Sequence, residues 1–226
     1  MKVYAFQVSE TMRIAEMSRT YQSLHGLSTN ITEILDEEIQ IRQLTNSIVK
    51  TIAKDEAGLE NIEVAQDEFG KLVVIGNKDF YFSLSHAGKW LICAVDTKPV
   101  GVYIEQVRSL STKELSCVLS KREQQEMFIR CDNDSQRMLY FYNLWTLKES
   151  YFEAVGRKVP YSRDCYTVKT DDDDGSVRLE TDQQDDYPTL FYRRYCLDPQ
   201  YKLAVCASHT VFPASITMQS FSWRGA

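Results

Sequence analysis

Two carboxylates and a handful of phosphate-friendly side chains carry whatever chemistry this sequence offers. In PVGVYIEQV, from Pro99 to Val107, strand periodicity puts Val100, Val102 and Ile104 on one face and Gly101, Tyr103 and Glu105 on the other. Side chains 103 and 105 would then stand about 7 Å apart, with Gly101 leaving room beside them. The segment from Trp145 to Glu153 reads as helix, with Trp145, Lys148, Glu149 and Glu153 at neighbouring points of one face. A glutamate from the strand and one from the helix, meeting across a seam, would suit magnesium. That hard cation keeps several waters and needs only one or two carboxylates plus substrate phosphate. In FSLSHAGKW, Phe82 to Trp90, Ser85 and His86 are strand neighbours that point to opposite faces. They are therefore no nucleophile–base pair, and a serine-hydrolase reading is rejected. The Ala87-Gly88 turn would let backbone approach a ligand, with His86 and Lys89 as phosphate contacts, and Lys71 after Phe69-Gly70 is a further candidate. Taken singly, each has a plainer reading: a half-buried strand ending in a solvated glutamate, a core tryptophan, a hairpin turn, a surface lysine.

The elements that must position these groups follow from periodicity. MKVYAFQV alternates as a strand, and Ile39, Ile41, Leu44, Ile48, Ile52 and Ala53 recur at helical spacing between about Asp36 and Lys54. Strand-like runs follow at Lys71–Ile75, Phe80–Leu84, Trp90–Val95 and Val100–Glu105. Helices are expected over about Thr112–Arg130 and Ser135–Val155, the latter stopping at Gly156 as a C-terminal cap. Strands return at Cys165–Lys169, Val177–Glu180, Leu190–Leu197 and Lys202–Ala207. A helix followed by several strands thus occurs twice, and GKWLICAVD resembles QYKLAVCAS. The expectation is an α+β fold of two similar halves, residues 1–97 and 98–212, with a tail over 213–226. The seam between halves is a natural place for a small-molecule site. Asp171–Gly175 lacks the alternating ligands and terminal glutamate of a calcium loop and reads as a solvated turn, as does Asp182–Asp186.

Composition narrows the class. The chain has 226 residues, 43% of them hydrophobic and 12% aromatic, enough for a packed core. A formal net charge of −6 argues against general nucleic-acid binding. The six cysteines form no C-x-x-C pair and no zinc-like spacing with histidine. No signal peptide or membrane-length apolar run is seen, so a cytoplasmic protein is expected, with no membrane partner.

In this order and spacing, Phe69-Gly70-Lys71, FSLSHAGKW, PVGVYIEQV and the run Trp145 to Ser150 resemble the surfactin-synthetase-activator type of 4′-phosphopantetheinyl transferase. The resemblance extends from about Phe69 to His209. It implies a pseudo-twofold fold of two α+β halves, with coenzyme A and magnesium in the cleft between them. The implied activity moves the phosphopantetheine arm to a serine of an acyl or peptidyl carrier protein, releasing adenosine 3′,5′-bisphosphate, in nonribosomal peptide or polyketide synthesis. It implies Glu105 and Glu149 as metal ligands, with Glu149, Lys148 and His86 catalytic. Lys71, Ser85, His86 and, more loosely, Arg42 would bind coenzyme A. Carriers are generally acidic, so Lys113, Lys121, Arg122 and Arg130 are docking candidates, and a chain that makes both halves of its cleft needs no second copy.

The sequence departs from the family pattern in four respects. Tyr103 stands where the first acid of the metal motif is usual, Glu153 where a lysine is, and Leu72 where a proline follows the Gly-Lys pair. The first sixty or so residues lack the usual basic stretch, with Arg13 and Arg19 as vague substitutes. A phenol with its pKa near 10 is neutral and a poor magnesium ligand. The alternative is therefore a relative that binds coenzyme A or carrier protein without efficient turnover.

Overall fold

Alternating and continuous apolar runs fold where the sequence places them, and their partners build four layers. The computed structural model describes residues 1–7, 31–68, 71–156, 166–171, 175–181 and 188–219, with the side chains of 31–43 and 181 excepted. The N-terminal strand β1 (Lys2–Gln7) is followed by α1 (Ile31–Ala57), longer at both ends than the periodicity suggested. Next come a short hairpin of β2 (Val64–Gln66) and β3 (Leu72–Val74), then β4 (Tyr81–Ala87), β5 (Trp90–Asp96) and β6 (Val100–Gln106). Strand β2 was not foreseen; three residues are too few to show a period.

The helix expected over Thr112–Arg130 is two: α2 (Thr112–Val118) and α3 (Lys121–Arg130). The break is local chemistry. Ser120 adopts an extended conformation, its hydroxyl accepts from the Glu123 N–H, and the Glu123 carboxylate accepts from the Ser120 N–H. Ser111 and Glu114 form the same box at the start of α2, and Ser-x-x-Glu is a recognised helix-start signal. Helix α4 (Asp134–Val155) opens on Asn133, which accepts from the Gln136 N–H, and closes on Gly156 at φ 68°, the left-handed position where glycine avoids the Cβ penalty. The chain ends in β7 (Tyr166–Asp171), β8 (Ser176–Thr181), β9 (Leu190–Tyr195), β10 (Tyr201–Ala207) and β11 (Thr217–Gln219). The region beyond 212, expected as a tail, thus returns to pair in parallel with β1.

This is an α+β protein with one sheet ordered β11-β1-β5-β4 and another ordered β6-β10-β9-β8-β7. Antiparallel pairing joins β1 to β5 to β4, and likewise β6 to β10 to β9. Helix α1 covers one face of the first sheet through Leu44, Ile48, Val49 and Ile52 against Tyr4, Phe6, Leu91 and Cys93. The two sheets meet through Val3, Ala5, Ile92 and Ala94 against Val100, Val102, Ile104, Leu203 and Val205. Helix α4 closes the outer face of the second sheet, with Leu147 and Tyr151 against Ala204 and Cys206. The face of β6 carrying Val100, Val102 and Ile104 is therefore buried between sheets, and the face carrying Gly101, Tyr103 and Glu105 turns to α4.

Candidate active site

The site grows from the open edge of β6. One side of this strand pairs with β10; on the other, β4 approaches without forming a ladder. Instead, the Ser83 hydroxyl accepts from the Val102 N–H at 3.1 Å, and the Ser85 hydroxyl accepts from the Ile104 N–H at 3.0 Å. Each satisfies an edge donor that burial would otherwise leave costly. Ser85, predicted to touch coenzyme A, is thus first a stitch between sheets, its hydroxyl keeping a proton to donate. His86 is half-buried on the same strand.

Gly101 sets how close α4 comes. A Cβ here would lie 2.0 Å from the Ser150 carbonyl oxygen and 2.4 Å from the Ala154 nitrogen. Only glycine lets helix and strand touch backbone to backbone. That contact brings Tyr103 against Trp145, ring centroids 6.3 Å apart, and Trp145 in turn stacks on Tyr142 at 5.7 Å. The Tyr103 hydroxyl donates to Glu105 Oε2 at 3.4 Å, and the Gln106 N–H donates to Oε1 at 3.1 Å. Burial pushes the Glu105 carboxyl up to about 7; the Gln106 N–H, Arg108 and the tyrosine oppose this, while the Glu149 charge adds to it. The two predicted metal ligands therefore feel each other across the β6–α4 contact. Two half-buried carboxylates, the Glu105 carboxyl raised by burial and by the charge of Glu149, are a donor set that a hard cation fits. Among the described residues no third histidine, cysteine or acid joins them, so phosphate oxygens and water would have to complete any coordination. Arg108, missed in the sequence reading, lies three residues beyond Glu105, forms an ion pair with Glu114 at 2.6 Å, and moderates the Glu105 charge.

Lys148 was expected beside Glu149 in the chemistry; its side chain is wholly buried and points into the junction of α2, α3 and β7. Its ammonium donates to Glu123 Oε2 at 2.7 Å, the Val118 carbonyl at 2.7 Å and the Tyr166 carbonyl at 2.6 Å. Glu123 also accepts from the Val168 N–H at 2.8 Å. The pair ties three elements to α4 and so aims Glu149 indirectly. Lys71, just before β3, reaches the start of β6 and the end of α4: its ammonium donates to the carbonyls of Val100, at 3.4 Å, and Glu153. Burial lowers its pKa, against the pull of Glu153 and Asp67. A cavity of about 170 Å³ opens beside Lys71, Ser83 and Glu153. Lys89, the other phosphate candidate at this turn, pairs with Asp198 at 2.7 Å. Arg42 lies on α1 with its side chain outside the described residues, as Phe69, Gly70, Arg13 and Arg19 lie outside them altogether.

Residues 99–206 match the model of the 4′-phosphopantetheinyl transferase superfamily. The 4′-phosphopantetheinyl transferase Sfp of Bacillus subtilis (strain 168) is 35% identical over 161 residues, covering 71% of this chain and 70% of that protein. This chain belongs to the 4′-phosphopantetheinyl transferase superfamily. A further Bacillus subtilis relative named 4′-phosphopantetheinyl transferase is 33% identical over 77% of this chain and 76% of its own length. The crystal structure of Thermotoga maritima holo-[acyl-carrier-protein] synthase is similar over 48% of this chain and 61% of that chain, at 17% identity and a TM-score of 0.37. The transferase match includes β6, which holds Glu105, and α4, which holds Glu149.

Proposed function

We propose that this enzyme transfers the 4′-phosphopantetheine arm of coenzyme A to a serine of an acyl or peptidyl carrier protein, with Glu105 and Glu149 holding magnesium. The observation that carries the reading is the close packing of β6, which bears Glu105, on α4, which bears Glu149, at Gly101, within a chain that belongs to the transferase superfamily. The serine oxygen attacks the phosphorus attached to the pantetheine; that phosphorus–oxygen bond forms as the bond to adenosine 3′,5′-bisphosphate breaks. Glu149 takes the serine proton, directly or through a water. His86, Lys71 and the Ser85 hydroxyl hold phosphate oxygens, Lys71 exchanging its carbonyl partners for them. Magnesium, when bound, supplies positive charge to the diphosphate and the leaving group. Lys148 is a positioning residue. Tyr103, bonded to Glu105, stands in for an acid and leaves the site one negative charge poorer, so metal affinity is lower than an aspartate there would give. The non-catalytic alternative finds no support in relatives that carry transferase names.

The same reading takes residues 1–97 and 98–212 as duplicated halves and a monomer as sufficient. The cytoplasm is the place for it, in keeping with the free thiols of Cys93, Cys117, Cys131, Cys196 and Cys206. Among the described residues no helix is long and apolar enough to cross a membrane. The deciding assay is arm transfer from coenzyme A to an apo peptidyl carrier protein, followed by mass across magnesium and manganese titrations. Transfer that disappears in Glu149→Gln and Glu105→Gln, and needs less magnesium in Tyr103→Asp, is expected. No transfer by the parent at any metal concentration would refute the reading.

A further inference from the structure

The cavity of about 550 Å³ on the far side of α4 is larger than the one beside Lys71 and has a different character. Arg122 and Arg130 from α3, Lys169 from β7 and Arg194 from β9 converge on it, with Glu126 the one acid among the described residues of its lining. Glu180 stands behind, 3.8 Å from both Arg122 and Lys169. Among the described residues, four cations against two carboxylates make this groove positive on a chain whose formal net charge is −6. The arginines are held lightly. Arg122 and Arg130 share Glu126 at 3.4 and 3.9 Å on an exposed helix face, and such solvated pairs exchange readily for a stronger anion. Arg194 rests over the Tyr192 ring at 5.0 Å, and no described carboxylate pairs with it. Guanidinium groups bind phosphate oxygens in pairs, which is why arginine gathers where phosphate is recognised. Tyr140 and Leu144 add an aromatic and an aliphatic wall, and the volume lies in the range of small-molecule sites.

We propose that this groove between α3, α4 and β7 is a second ligand site, for an organic polyphosphate, separate from the carboxylate pair on β6 and α4. Tyr140 and Glu149 are nine residues apart on α4, which places them about 180° apart around the helix. The groove and the carboxylates therefore open on opposite sides of it. A carrier protein seated in the groove would hold its serine on the wrong side of α4; that exclusion rests on the transferase reading and favours a small anion.

The test titrates the magnesium-free full chain with pyrophosphate and with ATP, reading heat and phosphorus line broadening. Parent, Lys169→Ala/Arg194→Ala and His86→Ala proteins are compared, with circular dichroism to confirm folding. Saturable binding is expected in the parent, weaker by at least about tenfold in the double variant and unchanged in His86→Ala, with ATP tighter than pyrophosphate. The double variant keeps the parent's KM for coenzyme A in arm transfer. No saturation up to about 10 mM, parent-like affinity in the double variant, or loss in His86→Ala would each overturn the second site. ATP no tighter than pyrophosphate would overturn the organic ligand. Displacement of pyrophosphate by an apo carrier protein would make the groove a protein-docking surface and also overturn it. If arm transfer fails in the parent while these binding results hold, the transferase reading falls and the groove stands.

Discussion

Replacing Lys148 with methionine separates a group that reacts from a group that positions. The lysine ammonium and the Glu123 carboxylate are 2.7 Å apart, with side-chain exposures of 0% and 2%. Methionine fills most of the aliphatic space but strands Glu123 as a buried anion. The N–H groups of Ser120 and Val168 still donate to it. Breaking a buried pair from one side costs about 3–5 kcal/mol. At about 2–4 °C per kcal/mol for a chain of this size, the melting temperature should fall by roughly 6–20 °C. The companion variant Lys148→Met/Glu123→Leu removes the stranded charge. It still leaves the carbonyls of Val118 and Tyr166 and the two N–H groups short of partners, so it should recover only part of the loss. The double-mutant cycle should give a coupling of roughly 2–3 kcal/mol. Measured well below the melting transition, arm transfer by Lys148→Met should fall by no more than about tenfold, because Glu149 is retained and only its support is loosened. The reasoning is refuted if Lys148→Met melts with the parent yet loses more than about a thousandfold in kcat. Lys148 would then reach the reacting phosphate in a conformation other than this one.

Three further outcomes test the architecture of the site. Gly101→Ala should cost about 2 kcal/mol or more in urea unfolding, since its Cβ would meet the helix backbone at 2.0 and 2.4 Å; parent-like stability would mean α4 does not lie on β6 in this way. Ser83→Ala/Ser85→Ala leaves two edge N–H groups of β6 without these acceptors and should cost about 1–3 kcal/mol per site, whereas a loss of arm transfer with unchanged stability would return Ser85 to substrate binding alone. Glu105, raised in the fold to about 7 from 4.5, is favoured as the neutral acid there. Its contribution to metal-free stability is therefore lost as pH rises from its unfolded pKa to its folded one. Unfolding free energy measured between about pH 5 and pH 8 should decline more steeply in the parent than in Glu105→Gln, and parallel curves would contradict the assignment.

Much of this fold was legible because its signals are local. The alternation in PVGVYIEQV sorted β6 into a sheet-facing set and a helix-facing set. Gly156 marked the end of α4, and the spacing of Ser120 and Glu123 contained the break between α2 and α3, although the apolar pattern read across it. The order of motifs along the chain was also enough to indicate the transferase family.

Partner choice was not legible. Trp145, Lys148, Glu149 and Glu153 span about 140° of helix, wide enough to face two different neighbours. Only the packing of α3 and β7 turned Lys148 away from Glu149's surroundings and into a pair with Glu123. Lys71 likewise looked like a surface or phosphate lysine until the fold brought it to the Glu153 carbonyl, 82 positions away in sequence. The two β4 serines became edge caps for β6 because no ladder forms there. The sequence alone determined periods, caps and the kinds of groups present, since these depend on neighbours within a turn or a strand. Tertiary structure decided which buried charge each group meets, because desolvation and pairing depend on what long-range packing places within a few ångströms.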